Sequence, residues 1–390
     1  MLGARLSACE FPFAVSATAS GKLTGAGDVN QGAVRRATTM VRIDGSRFSG
    51  SGTIVRQAVA LSALTGRSVH ITNIRFRRPN PGLRPQHARA VEAIASVVGA
   101  AIHGNTVGSG QLTFEPGAVV PAQTYVWDIG SAGSTVLLAQ AVLPVLAFAG
   151  TPSVVELRGG LFQDFAPSFY HFHYVLLPLL RLMGIEAEAQ MVRPGYVPSG
   201  GGILRLAVQP AVDPLRPLVL EEQGEIERVW GVALSSHLRE RNVSERMARR
   251  ARESLTAAGY AADFELVDDD SAVQAGAALS VFADLSAGVR LGADRAGAPR
   301  RSSEAIGRYA VQHLLEDLRS GATLDRHAAD QIIIFGALAA GESRFCIPGA
   351  TEHVETGAWL AREFLGADVR VDDRRLVISG VGLAPRQRGK

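Results

Sequence analysis

Lysine is nearly absent from this chain of 390 residues. Of the 40 lysine and arginine residues only two are lysines, Lys22 and Lys390. No lysine between these positions can serve as a covalent nucleophile, a Schiff base or a phosphate-loop ligand. Anionic ligands must therefore be bound largely by arginine, whose planar guanidinium group suits bidentate contacts with phosphate.

Cysteine and long apolar segments are also scarce. Cys9 and Cys346 are the only cysteines, so a structural zinc site and a disulfide framework are excluded and a cytoplasmic location is the default expectation. The most apolar run, 136–149, is interrupted by Gln140 and Pro144. It is too short to span a bilayer, and we predict no membrane partner. The formal net charge of +3 permits nucleic-acid binding without requiring it.

One pattern occurs three times along the chain. Each copy has a polar or glycine-rich turn, an apolar helix, a glycine and a strand, followed by a second helix that ends before a glycine. The copies begin at Gly50, Gly130 and Asp325, and the second helices are predicted over 86–98, 172–183 and 352–365. Self-similarity at this scale indicates a repeated β-α-β-α-β supersecondary unit. We therefore predict an α/β (α+β) fold with three repeats.

The rest of the chain differs from this pattern. Residues 1–39 are predicted to be a disordered extension, or the product of an upstream start codon with Met40 as the true start. Residues 40–215 and 300–381 form the predicted core of three repeats. Pro214 and Pro217 mark the end of the repeat pattern. We predict that 216–299 is a small α+β insert and that it is followed by a helix over 303–319. Residues 382–390 are a basic tail.

Two segments are candidates for phosphate binding. In 44–56 a strand enters a glycine-rich turn that opens a helix, where backbone N–H groups and the helix dipole can hold phosphate. In 74–87 the residues Arg75, Arg77 and Arg78 precede a second helix, which suits a polyanion such as RNA. The alternatives are an ordinary turn for the first segment and a solvated basic loop for the second.

His353 is the candidate nucleophile. Thr351 is a plausible N-cap, which places His353 in the first turn of a helix. A helix N-terminus lowers the pKa of an imidazole and keeps it neutral near pH 7. Such a histidine could attack phosphorus and carry a phosphoryl or nucleotidyl group. The alternative is a structural histidine.

Together these segments resemble the RNA 3′-terminal phosphate cyclase family over residues 40 to about 381. The matching residues are 44–45 with 54–56, 81–83 with 86–87, 129–134 with Gln140, 159–160, 166–167, 195–196, Pro198, 200–202, 329–331, Thr351 and His353. The resemblance implies three β-α-β-α-β-β repeats, as in the enolpyruvyl transferases, with a small inserted domain.

The resemblance also implies a function. His353 would attack the α-phosphorus of ATP, with Mg²⁺ or another divalent ion, and form a histidine–AMP intermediate. AMP would pass to an RNA 3′-terminal phosphate, and the adjacent 2′-OH would close a 2′,3′-cyclic phosphate. The implied ATP contacts are Gln140, Pro167, His327, Ala328, Ala329, Asp330 and Gln331. Arg56, Arg78 and Gln86 would hold phosphates of RNA or ATP, and no metal ligand is identified.

The chain departs from the family at two places. Ser49 and Thr53 replace the usual glutamate and glutamine of the first turn, and Leu161-Phe162 replaces threonine and a polar residue after Gly160. The altered turn favours a first alternative, a non-catalytic RNA-binding relative acting in RNA processing or ribosome assembly. A second alternative, an enolpyruvyl-transferase-like enzyme, is weakened by the scarcity of lysine. We predict that glutamate at Ser49 raises the rate of adenylation.

Overall fold

The structure is a computed structural model, which describes residues 40–120 and 124–386. The predicted extension 1–39 and the last four residues of the predicted tail lie outside the described residues. The strands are β1 Val41–Asp44, β2 Val69–Thr72, β3 Ala101–His103, β4 Leu112–Glu115, β5 Thr124–Asp128, β6 Ser153–Gly159, β7 Ala187–Arg193, β8 Gly202–Val208, β9 Val219–Leu220, β10 Ile226–Ser236, β11 Ala262–Asp268, β12 Gly276–Leu285, β13 Arg290–Ala296, β14 Glu342–Cys346, β15 Asp368–Asp372 and β16 Arg375–Ser379.

The helices connect these strands. They are α1 Gly52–Thr65, α2 Pro85–Val98, α3 Thr135–Ala147, α4 Phe169–His171, a π-helical turn Phe172–Leu176, α5 Leu177–Met183, a 3₁₀ turn Arg239–Arg241, α6 Val243–Ala257, α7 Ser303–Arg319, α8 Ala328–Leu338 and α9 Glu352–Leu365. Among the described residues, no helix is both long enough and apolar enough to cross a membrane.

Three of the sheets share one topology, with strand orders β1-β2-β4-β3, β5-β6-β8-β7 and β9-β14-β16-β15. Counted in chain order, the first strand of each sheet is parallel to the second. The second and third strands of the chain order both pair antiparallel with the fourth, which lies between them. The first helix of each unit, α1, α3 or α8, connects the two parallel strands, as such a crossover requires. The predicted fold class, three β-α-β-α-β-β repeats, is confirmed.

An inserted unit interrupts the third repeat between β9 and α8. Its sheet has the order β11-β10-β12-β13, and α6 and α7 pack on that sheet around a separate apolar core that includes Met247, Leu279 and Leu314. Since β9 pairs with β14 in the third repeat and α7 packs within the insert, we propose limits of 226–319 for the insert instead of 216–299.

Helix ends in the repeats are fixed by local sequence. The side chains of Ser51, Ser134 and Thr351 accept hydrogen bonds from backbone N–H groups in the first turns of α1, α3 and α9. At the other end of α1 and α9, Gly66 and Gly366 adopt the left-handed conformation that ends a helix. The helices therefore present defined N-termini on one side of the molecule's core.

Candidate active site

A cavity of about 290 Å³ lies where the first helices of the three repeats converge. Each of these helices contributes side chains at positions i, i+3, i+4 and i+7, the spacing that places residues on one helical face. The lining residues are Thr53, Arg56, Gln57 and Ala60 from α1, Leu137, Gln140, Ala141 and Pro144 from α3, His327, Asp330, Gln331 and Ile334 at α8, together with Phe165, Pro167, Leu176, Phe335 and His353.

Most of the residues predicted from the sequence meet in this cavity. Those that line it are Arg56, Gln140, Pro167, His327, Asp330, Gln331 and His353. Ala328 and Ala329 are buried in the first turn of α8 and do not line it. Arg78 and Gln86 hold adjacent turns, because Arg78 Nη2 donates to the carbonyl oxygen of Ser49 at 2.8 Å and Gln86 Oε1 accepts from Ser134 N at 3.2 Å.

Several residues that line the cavity carry a polar atom that has no hydrogen-bond partner among the described residues. These atoms are Gln57 Oε1, Gln140 Nε2, Gln331 Oε1 and His353 Nδ1, and all are buried. An unsatisfied buried polar atom costs about 1–3 kcal/mol, and native proteins leave few of them. The cavity is therefore suited to a ligand that offers both hydrogen-bond donors and acceptors. A nucleotide fits this description.

His353 is held in the first turn of α9. Thr351 Oγ1 accepts from Val354 N at 3.2 Å, which fixes the start of the helix. Burial lowers the pKa of His353 below 6.5, and the nearby positive charges of Arg56 and Arg78 lower it further. The imidazole is therefore neutral near pH 7, which is the form that can act as a nucleophile.

A buried ion pair fixes the start of α8. Both carboxylate oxygens of Asp325 lie 3.0 Å from His171 Nε2. The carboxylate also accepts from the backbone N–H groups of His327, Ala328 and Gly292, each at 2.9 Å. Burial alone would raise the pKa of Asp325, but His171 and these hydrogen bonds hold it at about 2. This one carboxylate joins the second repeat, the insert and α8.

Neither this pair nor Gln57 was predicted from the sequence. The available signal for Asp325 was its position just before α8, where an aspartate commonly caps a helix. Gln57 could have been found from the repeat, because it lies on α1 at the position that Gln331 occupies on α8.

Opposite charges face the cavity from α1 and α8. Burial raises the pKa of Asp330 to about 7, with a further contribution from Asp325, and Arg56 opposes the rise. Burial likewise lowers the pKa of Arg56 to about 10. Arg56 therefore remains positively charged at neutral pH, whereas the carboxyl group of Asp330 gains or loses its proton close to neutral pH.

The altered first turn has a structural role. Ser49 is 5% exposed, and its Oγ lies 3.0 Å from Thr356 Oγ1 on α9 and 3.1 Å from Ser51 Oγ. Ser49 does not line the cavity. Its hydroxyl instead links the start of α1 to the helix that carries His353.

The second departure from the family pattern is explained by packing. Leu161 and Phe162 are each 1% exposed. The Phe162 ring lies 5.5 Å from Tyr170 and 5.7 Å from Tyr196, measured between ring centroids. These apolar residues therefore contribute to the core beside the cavity.

Comparison with known proteins decides the family. The family model described as RNA 3′-terminal phosphate cyclase matches residues 47–371. The chain belongs to the RNA 3′-terminal phosphate cyclase family. A protein of that name from Methylococcus capsulatus is 41% identical over 354 residues, covering 88% of this chain and 96% of the relative. One from Staphylothermus marinus is 35% identical over 357 residues, covering 89% and 99%. The assignment to this enzyme family is confirmed, so the enolpyruvyl-transferase-like alternative is not supported.

A solved enolpyruvyl transferase, NikO from Streptomyces tendae, shares 15% identity and has a TM-score of 0.38. The comparison covers 90% of this chain and 50% of that one. A likeness at this level is too weak to support an argument, and the repeat topology alone describes the fold.

Proposed function

We propose that this protein is an ATP-dependent enzyme that converts an RNA 3′-terminal phosphate to a 2′,3′-cyclic phosphate. The observation that carries the proposal is the neutral His353 beside a cavity lined by three glutamines, each with a buried amide atom that has no hydrogen-bond partner among the described residues. Membership of the cyclase family supports the same substrate class.

The cavity is the proposed ATP site. The imidazole of His327 and the ring of Pro167 provide apolar faces for adenine. Gln140 Nε2 and Gln331 Oε1 offer a donor and an acceptor to the nucleoside. Ala328 and Ala329 contribute indirectly, because their backbone N–H groups bond to Asp325 and hold the first turn of α8 in place.

Two arginines near His353 provide positive charge for binding phosphates. Arg56 lines the cavity, and both Arg56 and Arg78 lie close enough to His353 to lower its pKa. We propose that these arginines bind the phosphates of ATP and RNA, and that Gln86 supports the neighbouring turn. Arginine is well suited to this role because its guanidinium group pairs bidentately with phosphate.

His353 performs the proposed nucleotidyl transfer. A ring nitrogen forms a bond to the α-phosphorus of ATP, the bond from that phosphorus to the β-bridging oxygen breaks, and pyrophosphate leaves. An oxygen of the RNA 3′-phosphate then takes AMP from His353. The 2′-OH attacks the activated 3′-phosphorus, which releases AMP and one proton.

A divalent ion such as Mg²⁺ would neutralise the triphosphate. Among the described residues no group of three or more His, Cys, Asp or Glu side chains could hold a metal ion. We therefore propose that the ion arrives with ATP and is held mainly by phosphate oxygens, as Mg²⁺ often is in nucleotide sites.

The test is covalent labelling with α-³²P-labelled ATP and Mg²⁺ on a denaturing gel. Wild type should acquire a label that is labile in acid and stable in alkali, and His353→Asn should acquire none. His103→Asn, at an exposed histidine outside the cavity, is the matched control and should label like wild type. Label on folded His353→Asn would refute the nucleophile. A folded wild type without label would favour the non-catalytic RNA-binding alternative.

A further inference from the structure

A second surface on the molecule is strongly basic. A groove of about 700 Å³ lies between the insert and the β7–β8 connection of the second repeat. Its lining includes Arg241, Arg246, Arg300 and Arg301 but no aspartate or glutamate. Arg246 pairs with Glu304 and Arg301 pairs with Asp164. Arg241 and Arg300 are exposed and have no ion-pair partner among the described residues.

Other groups add hydrogen-bond donors to this groove. Ser302 and Ser303, at the N-terminus of the long helix α7, line it, and this end of a helix carries partial positive charge. Gln274 also lines it. Its Oε1 accepts from Ser199 N at 3.1 Å, while its Nε2 is buried without a partner among the described residues. Arginines, a helix N-terminus and an unused amide donor together suit an anion.

The nearby acidic turn 268–270 forms no ion pair with the arginines of the groove, since its ion pairs within the described residues are to His237 and Arg239. Asp268 accepts hydrogen bonds from Ser235 and Ser244, and Asp270 accepts from His237 N. None of these carboxylates lines the groove. The positive charge of Arg241 and Arg300 is therefore available to a ligand.

The groove is connected to the active-site cavity through one loop. Arg301 donates to both carboxylate oxygens of Asp164, at 2.9 and 2.7 Å. The next residue, Phe165, lines the cavity, and its side chain is fully exposed at a φ of 64°. An aromatic residue is uncommon at positive φ, so the clamp on Asp164 holds an exposed ring at the edge of the cavity. Exposed aromatic rings are platforms on which single-stranded bases stack.

We propose that this groove binds a backbone phosphate of the RNA strand upstream of its reacting 3′ end, with Phe165 beside the path between groove and cavity. The inference rests on the proposed function, which supplies RNA as the ligand. It gives the insert a role in substrate binding, in addition to holding the ion pair at α8.

The test is direct binding of fluorescent single-stranded RNAs with a 3′-phosphate, measured by anisotropy without ATP. Arg241→Gln with Arg300→Gln should weaken binding of an RNA of about 12 nucleotides by about tenfold. It should also lower the log–log salt slope by roughly 0.7, which is the contribution of one single-strand phosphate contact. The difference between the two proteins should shrink as the RNA is shortened from its 5′ end, because a shorter strand loses its contact with the groove.

The matched control is Arg249→Gln with Arg319→Gln, which removes the same charge from exposed positions of α6 and α7 outside the groove. The proposal would be overturned if the control variant lost as much RNA affinity as the groove variant, or if the groove variant lost none. The labelling assay distinguishes this proposal from the proposed function, because it requires ATP but no RNA. Loss of label in the groove variant would mean that the groove contributes to ATP binding, which would contradict an RNA-binding role. A wild type that binds long RNA through the groove but is never labelled would refute the cyclase function alone.

Discussion

The buried pair of Asp325 and His171 should determine both the stability of the protein and the geometry of the proposed nucleotide site. We consider Asp325→Asn, which keeps the shape of the side chain and removes its charge. In the native protein one carboxylate oxygen accepts from the N–H groups of His327 and Ala328, and the other accepts from Gly292. An asparagine has only one oxygen, so its NH₂ group must face at least one of these donors.

The expected cost follows from these contacts. At least one buried backbone N–H loses its acceptor, at about 1–3 kcal/mol, and His171 loses its counter-charge at a position with no solvent exposure. Removing one partner of a buried ion pair typically costs about 3–5 kcal/mol. We expect a loss of about 3 kcal/mol in the free energy of unfolding, which corresponds to a Tm lower by roughly 5 °C for a chain of this size.

The pH dependence identifies the ionic part of this loss. Burial alone would lower the pKa of His171, but Asp325 outweighs it and raises the pKa above 6.5, so this contribution is complete below 6.5 and declines as pH rises through the raised pKa. Asp325, whose pKa falls from 3.8 to about 2, contributes above 3.8 and loses its effect as pH falls toward 2. The difference between wild type and Asp325→Asn should therefore be largest between about pH 4 and 6.5 and narrow at higher pH.

Urea unfolding at several pH values, with the labelling assay at each, tests this reasoning. Asp373→Asn is the control, because Asp373 lies exposed in a turn at a φ of 53° that asparagine tolerates. A stability difference that stayed constant from about pH 5.5 to 8.5 would refute a protonated His171 in the native state. A loss no larger than that of the control would refute the importance of the pair altogether.

Two further predictions concern the first turn and the nucleophile. Contrary to the expectation from the sequence, Ser49→Glu should lower the stability by about 1–3 kcal/mol and slow adenylation, because the larger side chain displaces the contact with Thr356. Adding Thr356→Ala should restore part of the stability and part of the adenylation rate. A Ser49→Glu protein that is adenylated faster than wild type would contradict this packing argument. Because the pKa of His353 lies below 6.5, the rate of labelling should be flat from about pH 7 to 8 and fall only at more acidic pH. A rate that still rises steeply through pH 7 in an Asp330→Asn background, which removes the carboxyl group with a pKa of about 7, would mean that this imidazole is protonated in the free enzyme.

The parts of the structure that could be predicted from sequence are those encoded locally. The helices over 303–319 and 352–365 have the predicted limits, since apolar periodicity and capping residues act within a few residues. The limits of the insert were harder to predict because β9 has only two residues, and its pairing with β14 is made across the whole insert. No local pattern could report that contact.

Parts of the site depend on contacts that are distant in sequence. Ser49 and Thr356 are 307 residues apart, and His171 and Asp325 are 154 residues apart. The sequence indicated that the turn at Ser49 differs from the family, but a missing carboxylate could be interpreted only as a loss. In the structure the same position gains a hydrogen-bonded link to α9, so the substitution has a packing role as well as a chemical one.

The repeats provide an independent reason to place the chemistry at His353. The second helix of every repeat carries a histidine in its first turn, namely His87, His171 and His353. His87 is 3% exposed and its Nδ1 accepts from Arg84 N at 3.1 Å, and His171 is enclosed and paired with its carboxylate. Only the third of these imidazoles lines the cavity, and it makes no hydrogen bond with the described part of the chain through its buried Nδ1. The fold thus places a histidine at the same position of each repeat. Two of these histidines, His87 and His171, make structural contacts. A nucleophile must reach its substrate and have an available lone pair, and of these three imidazoles only that of His353 meets both requirements.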